Sequence, residues 1–418
     1  MRSAGRHTPA TSETQVFGKA SRLKILLIST LYTPNLIGGM ERAVQLLAEN
    51  LAREGHQVVV ASTAPERGVR TATVNGVKVY YVGLKNFYWP FGEKENYRAL
   101  KPVVHALDTY NPWMVREVAR ILDEERSDLV HTNGLGGFSV LAWKLVEQRR
   151  LPLVHTLHDH YLLCPRTTMF RKGRSCDKQC AECRLYSLPR RRLSQRVDVV
   201  VGVSRYILER HLELGYFTAT PERRVIPNAY QVRPMSLSAK RRSPPVRFGY
   251  LGMLHPVKGI EGLLEAVAQL QGSWSLSVAG RGRTAYERDL HTRYKRLGVK
   301  FMGHVDPGSF FPEIHVLVLP SLVRESFGRV IIESYAHGVP VIGTTRGGIL
   351  ELVEEGRSGF LFDPDRAGDL AAKMQRYIDK PTMINDMRPV CLKKANDFLP
   401  ENITEQYLET YRRALANT

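Results

Sequence analysis

The sequence predicts an α/β protein built from two doubly wound, largely parallel-sheet domains that face a central cleft. Three observations carry this expectation. Unbroken apolar runs such as "LKILLIST" (23–30) and "HVLVLPS" (315–321) read as strands buried on both faces. Such runs are followed by a loop and then a segment of helical period, as in "MERAVQLLAENLAREG" (40–55), which stops at a Gly. The alternation then restarts after the polar, Pro-containing stretch "SLSAKRRSPP" (236–245). A chain of 418 residues is long for one core and suits two domains of about 200.

In the first half, "HQVVVAST" (56–63) and "GVKVYYVG" (76–83) are the next strands after 23–30. The segment Lys85 to Tyr110 is aromatic and shows no clear period. "WMVREVARILDEE" (113–125) reads as helix and "SDLVHTN" (127–133) as strand. "SVLAWKLVEQRR" (139–150) and "LPLVHTLHD" (151–159) repeat the pattern. After a basic insertion come the strand of "LSQRVDVVVGVS" (193–204), the helix "RYILERHLELG" (205–215), and a strand with a turn in "RRVIPNAY" (223–230).

The second half runs the same way. Strands are expected in "VRFGYLG" (246–252), "SLSVAG" (275–280), "VKFMG" (299–303), 315–321, "VPVIGTT" (339–345) and "GFLFDP" (359–364). Helices are expected over 259–270, 284–296, 308–314, 328–337 and 367–378, with "ITEQYLETYRRALAN" (403–417) as the last. The expected organisation is a tail over 1–22, a first Rossmann-like domain over 23–240 with a Cys-rich basic insertion at 164–196, and a second Rossmann-like domain over 241–398. A final segment, 399–418, is expected to cross back to the first domain, with a hinge near 240.

Composition excludes several classes. A hydrophobic fraction of 43% and a charged fraction of 24% are those of a globular protein. No apolar run approaches the ~18 residues of a membrane span, and residues 1–22 lack the apolar centre of a secretory signal. The net charge of +19 favours acidic ligands or an anionic membrane. No recognition module or stacking platform accompanies that charge, which argues against nucleic acid.

Four of the five cysteines crowd together. Cys176, Cys180 and Cys183 have a spacing that resembles metal-ligand spacing, with Cys164 available as a fourth ligand. A structural zinc site, free thiols, and a disulfide or redox pair are the three readings of that spacing. Four thiolates would leave no open position, so a metal here would be structural.

Candidate site residues cluster where strands end. In "RESFGRVIIE" (324–333), Glu325 precedes a helix start and Glu333 lies one to two turns inside it. Unpaired N–H groups at such a start hold anions, and Gly328 permits close backbone approach. Carboxylates accept hydrogen bonds, so the two acids suit a hydroxyl-rich, elongated ligand such as a ribose diol and a sugar ring. Lys258, in "LGMLHPVKG", sits in a strand-to-helix loop as a natural phosphate contact. Gly280, Arg281 and Gly282 in "VAGRGR", and Gly347 and Gly348 in "TTRGGILE", add amides and a cation along the same sheet edge. In the first half, Gly38 and Gly39 follow the first strand. His131, His155, His158 and Asp159 fall at strand ends, with His155 inside the strand pattern and read as core, and His158 beside Asp159 at a loop mouth. The chain has no G-x-G-x-x-G after its first strand, no G-x4-G-K-[ST] and no G-x-S-x-G. Hydride transfer, ATP hydrolysis and serine-hydrolase chemistry lose ground accordingly.

"GYLGMLHPVKG", "VKFMGHVD" and "LVRESFGRVIIESYAHGVPVIGTTRGGILELVEEGRSGFLFDPD" resemble the retaining family-4 glycosyltransferases, whose Glu-x7-Glu signature is met by Glu325 and Glu333. "YTPNLIGGMERAVQLLAENLAREGHQVVV" and "HDHYLLCP" extend the likeness to the first half. The resemblance implies a GT-B fold and a nucleotide-diphosphate sugar donor (UDP-, GDP- or dTDP-linked). It implies that Glu325 contacts the donor sugar, Glu333 the ribose, and Lys258 the phosphates. Phe327, Gly328 and Arg329 would line the diphosphate, Val305 the base, and Gly38 and Gly39 the diphosphate or acceptor. His158 matches the His of the family's catalytic cleft, with His131 and Asp159 on the acceptor side. Where the family often has an Arg, Met253 follows Gly252, so Arg281, Arg283 or Arg329 would have to compensate.

The function so implied is retaining glycosyl transfer to a hydroxyl of a saccharide, lipid-linked or small-molecule acceptor, in polysaccharide, glycolipid or natural-product glycoside synthesis. No catalytic cofactor is required by it. It suggests a cytoplasmic enzyme, with an anionic membrane surface as a candidate partner for 166–196. The competing readings are a nucleotide-sugar epimerase or a phosphorylase of the same build, and an inactive carbohydrate- or membrane-binding scaffold.

Overall fold

The computed structural model describes residues 22–91, 101–231 and 245–417. The tail ahead of Arg22, part of the aromatic segment 85–110, and the linker and hinge around 240 lie outside these residues. Among the described residues no helix is long and apolar enough to cross a membrane.

The first lobe holds β1 (Lys24–Ser29), β2 (Gln57–Ala64), β3 (Val69–Val74), β4 (Val77–Gly83), β5 (Leu129–Thr132), β6 (Leu153–Leu157), the small hairpin β7 (Phe170–Arg171) and β8 (Arg174–Ser175), then β9 (Val199–Gly202) and β10 (Glu222–Val225). Its main sheet runs β10-β9-β6-β5-β1-β2-β4-β3. All pairs are parallel except β3 with β4. The central strands β1, β5 and β6 are buried nearly throughout, as their continuous apolar sequence requires. The edge strand β3, "VRTATV", is half polar and largely exposed, so its sequence carries no burial signal.

The second lobe holds β11 (Val246–Leu251), β12 (Trp274–Ala279), β13 (Lys300–Gly303), β14 (Val316–Leu319), β15 (Val341–Thr344) and β16 (Gly359–Phe362). They form an all-parallel sheet in the order β13-β12-β11-β14-β15-β16. Numbered within the lobe this is 3-2-1-4-5-6, the doubly wound order of dinucleotide-binding domains. Strand order reverses between β11 and β14, and in the first lobe between β1 and β5. A crevice opens at such a point because the two connecting helices leave on opposite faces.

The GT-B architecture is therefore present: two parallel-sheet lobes flank a cleft. The last helix, Pro400–Ala416, packs on the first lobe. Its Ile403, Tyr407, Leu408 and Tyr411 share one core with Ile25, Leu27, Val44 and Val60. The sequence pattern did not reveal the helices Lys101–Thr109, Ala181–Leu193 and Thr382–Asn396, nor the hairpin β7–β8. Two of those helices carry an internal proline, Pro189 or Pro389, which reads from sequence as a breaker.

Candidate active site

Each crevice is built by short connections at carboxyl ends of strands. After β11 the chain makes the 3-10 turn Pro256–Lys258 and enters the helix Ile260–Val267 through Gly259. Gly259 has φ of +69°, and a Cβ there would stand 1.9 Å from the carbonyl oxygen of Pro320. That contact seats the turn against the end of β14. It brings Lys258 Nζ to 2.6 Å from Glu325 Oε1, across 67 positions of sequence. Ser321 Oγ donates to the same carboxylate oxygen at 2.6 Å. Burial pushes the Glu325 carboxyl up, but Lys258 and the two hydrogen bonds outweigh it and hold the group below its ordinary range. Glu325 is thus an ionised, ion-paired carboxylate.

Glu333 sits in the helix Arg329–Ala336, capped by Gly328 at φ of +94°. Its Oε1 is 3.1 Å from Arg329 Nε. Burial raises the Glu333 carboxyl despite the opposing pull of Arg329 and Arg42. Arg329 also reaches across the cleft, donating to the Gly39 carbonyl at 3.1 Å. Gly39 leaves room for it, because a Cβ there would lie 3.3 Å from the Arg329 side chain.

The remaining second-lobe candidates divide. Arg281 and Met253 are exposed and Val305 is half-buried; all three lie at strand ends along the same sheet edge. Gly280 is required by packing: with φ of +138°, a Cβ would stand 1.7 Å from the Gly252 carbonyl oxygen. Gly347 is likewise needed because its Cβ would meet the Glu325 backbone at 2.3 Å. Phe327 does not point to a ligand. Its ring is buried and packs edge-on to Phe398 at 6.0 Å, which leaves only its backbone available.

In the first lobe His158 and Asp159 follow β6. His158 Nε2 lies 3.0 Å from Asn133 Oδ1, and Asn228 approaches the same ring. Burial lowers its pKa to about 3, so the ring is neutral near neutral pH. Asp159 accepts from the Tyr161 N–H at 2.7 Å, and burial raises its carboxyl to about 6. Both side chains keep partial solvent exposure because they line a cavity of about 330 Å³, shared with Glu41, Asn133 and Tyr161. Gly38 stands beside it, its N–H donating to Glu41 at 2.8 Å. The backbone carbonyl of His158 accepts from Ser326 Oγ of the other lobe at 2.5 Å.

His131 is a correction to the acceptor-side expectation. It is fully buried, with its ring nitrogens 2.8 Å from Tyr411 Oη and 2.8 Å from Thr156 Oγ1. The side chain of a residue inside β5 projects from a sheet face, here toward the last helix, whereas Asn133, just past the strand, reaches the cavity. His155 is core, stacked on Phe217.

Sequence reasoning missed Glu41, Asn133, Ser326 and Glu351. Glu351 accepts the N–H groups of Arg205 and Tyr206 at 2.8 and 2.7 Å, capping a first-lobe helix from the second lobe. Asn133 had a signal, as the first polar residue after an apolar strand. Glu351 had none, because its partner is 145 positions away.

The four clustered cysteines line one small cavity of about 20 Å³. A hydrogen bond with Cys183, with help from nearby amides, lowers the Cys164 thiol below its ordinary range. Among the described residues no three His, Cys, Asp or Glu side chains are grouped to hold a metal ion. The insertion touches the second lobe: Ser175 Oγ donates to Leu322 O at 3.2 Å, and Arg324 pairs with Asp177 at 2.6 Å.

Comparison with known proteins agrees with this architecture. Residues 38–229 match the family model "Glycosyl transferase 4-like domain" and residues 245–380 match "Glycosyl transferases group 1". An uncharacterized 42.6 kDa protein in the cps region of Klebsiella pneumoniae is 30% identical over 93% of this chain and 100% of its own length. The glycogen synthase of Mycobacterium tuberculosis is 28% identical over 86% of this chain and 87% of its own. Among solved structures, sucrose-phosphate synthase from Thermosynechococcus elongatus superposes with a TM-score of 0.74 at 23% identity, covering 95% of this chain and 100% of that one. HepE of Anabaena, in complex with UDP, superposes with a TM-score of 0.69 at 22% identity, covering 94% and 100%. At those identities the solved structures speak to the fold, and the sequence matches speak to the family. The chain belongs to the family-4-like glycosyl transferases and is a glycosyltransferase of the GT-B fold.

Proposed function

We propose that the chain transfers a sugar, with retention at the anomeric carbon, from a nucleoside-diphosphate sugar in the second-lobe crevice to a hydroxyl acceptor in the first-lobe cavity. The observation that carries this reading is the Lys258–Glu325 pair at 2.6 Å, set where strand order reverses and beside the Gly328-capped helix start. In this reading Lys258 and the amides near Gly328 stabilise the charge that develops on the departing diphosphate. Glu325, already ionised and oriented by Lys258 and Ser321, accepts hydrogen bonds from the donor sugar. Glu333 accepts from the ribose diol. A His158 with a pKa near 3 is a poor proton store, so it acts as a hydrogen-bonding partner, and the departing phosphate takes the acceptor's proton. Arg329, bridging Glu333 and Gly39, is the cation best placed to stand in for the Arg that Met253 replaces. A donor such as UDP-glucose is supported by the fold shared with Anabaena HepE, solved in complex with UDP-glucose.

Incubation with UDP-, GDP- and dTDP-sugars tests this. Nucleoside diphosphate released only when an acceptor is present supports transfer, and NMR of the product gives its anomeric configuration. Release without an acceptor points to hydrolysis or epimerase-like chemistry.

Two narrower readings belong with it. Zinc at Cys164, Cys176, Cys180 and Cys183 is supported by their common cavity and by the thiol contacts of Cys183. The side chains would have to move to ligate, since among the described residues they are not grouped as ligands. Elemental analysis finding no zinc, before or after reduction and metal addition, rejects it. Peripheral membrane attachment through the insertion is supported by exposed Arg184, Arg191 and Arg192. Arg190 does not contribute, because it is buried against Asp108 and Thr109. Liposome sedimentation that weakens with salt is the expected result.

A further inference from the structure

Among the described residues, the lining of the first-lobe cavity differs in charge from the chain as a whole. The chain carries +19, yet no Lys or Arg is among the described residues lining this cavity of about 330 Å³. Three carboxylates line it instead: Glu41, Asp108 and Asp159. Asp108 is already engaged, by Tyr161 Oη at 2.6 Å, by the Gly137 N–H at 2.5 Å and by the buried Arg190 behind it at 3.4 Å. Glu41 and Asp159 each accept one backbone N–H and line the cavity together with the neutral His158. Leu84, Tyr88, Pro90, Phe91 and Val104 add apolar and aromatic surface to the same lining, with Asn86 and His105 among them.

We infer that the acceptor taken by this cavity is an uncharged, hydroxyl-rich molecule with an apolar part, such as an alkyl or aryl glycoside, and not a phosphate- or carboxylate-bearing one. This rests on the transferase reading above and names its acceptor class. Ionised carboxylates only accept hydrogen bonds. Hydroxyls supply the donors they need, whereas a phosphate brings further acceptors and like charge. An anion buried among the described lining residues, which offer it carboxylates and no cation, also loses its hydration without compensation there. The aromatic surface matches the apolar face of a sugar ring or an aglycone, and the volume falls at the lower end of ligand pockets, roughly 300–1,000 Å³. The cations that suit phosphate, Lys258 and Arg329, belong to the other lobe.

The test is calorimetric titration of the full chain, with a nucleoside diphosphate present. Methyl, phenyl and octyl glycosides of glucose, galactose and mannose are set against glucose 6-phosphate, glucuronic acid and farnesyl diphosphate. At least one neutral glycoside is expected to bind about tenfold more tightly than any anionic probe, on the order of 1.4 kcal/mol. Asp159→Asn should weaken the neutral ligand and leave nucleoside diphosphate binding unchanged. Asn86→Lys, at the cavity wall, should move the preference toward the anionic probes. An anionic probe binding as tightly as the neutral ones overturns the inference and leaves the transferase reading standing. Binding of none of the probes overturns the inference as well. Loss of nucleoside diphosphate binding in the parent protein would instead fault the donor reading.

Discussion

Glu325 and Glu333 flank one helix start, and their carboxyls are shifted in opposite directions. Lys258 holds Glu325 ionised, whereas burial pushes Glu333 up against the pull of Arg329. Glu325→Gln and Glu333→Gln are each expected to lower transfer by at least about tenfold, on the order of 1.4 kcal/mol. Circular dichroism should stay unchanged, and parent-like turnover in both variants would refute the assignment. Asp159 makes a prediction about stability. Burial raises its carboxyl from 3.8 to about 6. An acid raised on folding contributes fully below its unfolded value and loses that contribution as pH rises through the folded one. Asp159→Asn never ionises, so it should gain thermal stability over the parent above pH ~6 and lose that gain near pH ~4. A gain of the same size at both pH values would contradict it.

At the scale of elements, hydrogen bonds from helix ends and loops join the two lobes. Ser204 caps the helix Arg205–Glu213 through the Ile207 N–H and also donates to the Ser326 carbonyl of the second lobe. Glu351 adds a second cap to the same helix from across the cleft. Glu351→Ala removes that cap and leaves Ser204 in place. The cost should be modest, roughly 0.5–1 kcal/mol, because the contact is exposed. Chemical denaturation reads the stability, and a raised donor KM should accompany it if these contacts hold the cleft in its present form. The Cys-rich insertion acts on the same region, since Ser175 and Asp177 contact Leu322 and Arg324, immediately ahead of Glu325.

For the whole molecule, the C-terminal helix is as much part of the first core as any strand. Tyr407, Leu408 and Tyr411 are almost fully buried, and Tyr411 closes the hydrogen-bond chain that runs through His131 to Thr156. Each buried apolar side chain of this size contributes about 1.5–3 kcal/mol. Four such positions, Ile403, Tyr407, Leu408 and Tyr411, together rival the whole stability of a domain, about 5–15 kcal/mol, with the smaller Ala414 adding to them. Truncation after Leu399 is therefore expected to yield aggregated or unfolded protein. A soluble, cooperatively melting truncated chain would overturn that.

The sequence by itself determined the alternation of strand and helix, the two-lobe build and the sheet-edge positions of Lys258, Glu325, His158 and Asp159. Those features are local: apolar runs mark parallel strands, and the loops after their carboxyl ends form the sheet edge where ligands bind. Only the tertiary structure decided that Lys258 and Glu325 touch, that Arg329 spans the cleft, that His131 turns to the last helix, and that the first-lobe cavity gathers carboxylates without a cation among its described residues. The physical reason is sheet order. Residues 67 or 290 positions apart become neighbours only when strand order reverses and the lobes close, and no local pattern records either event.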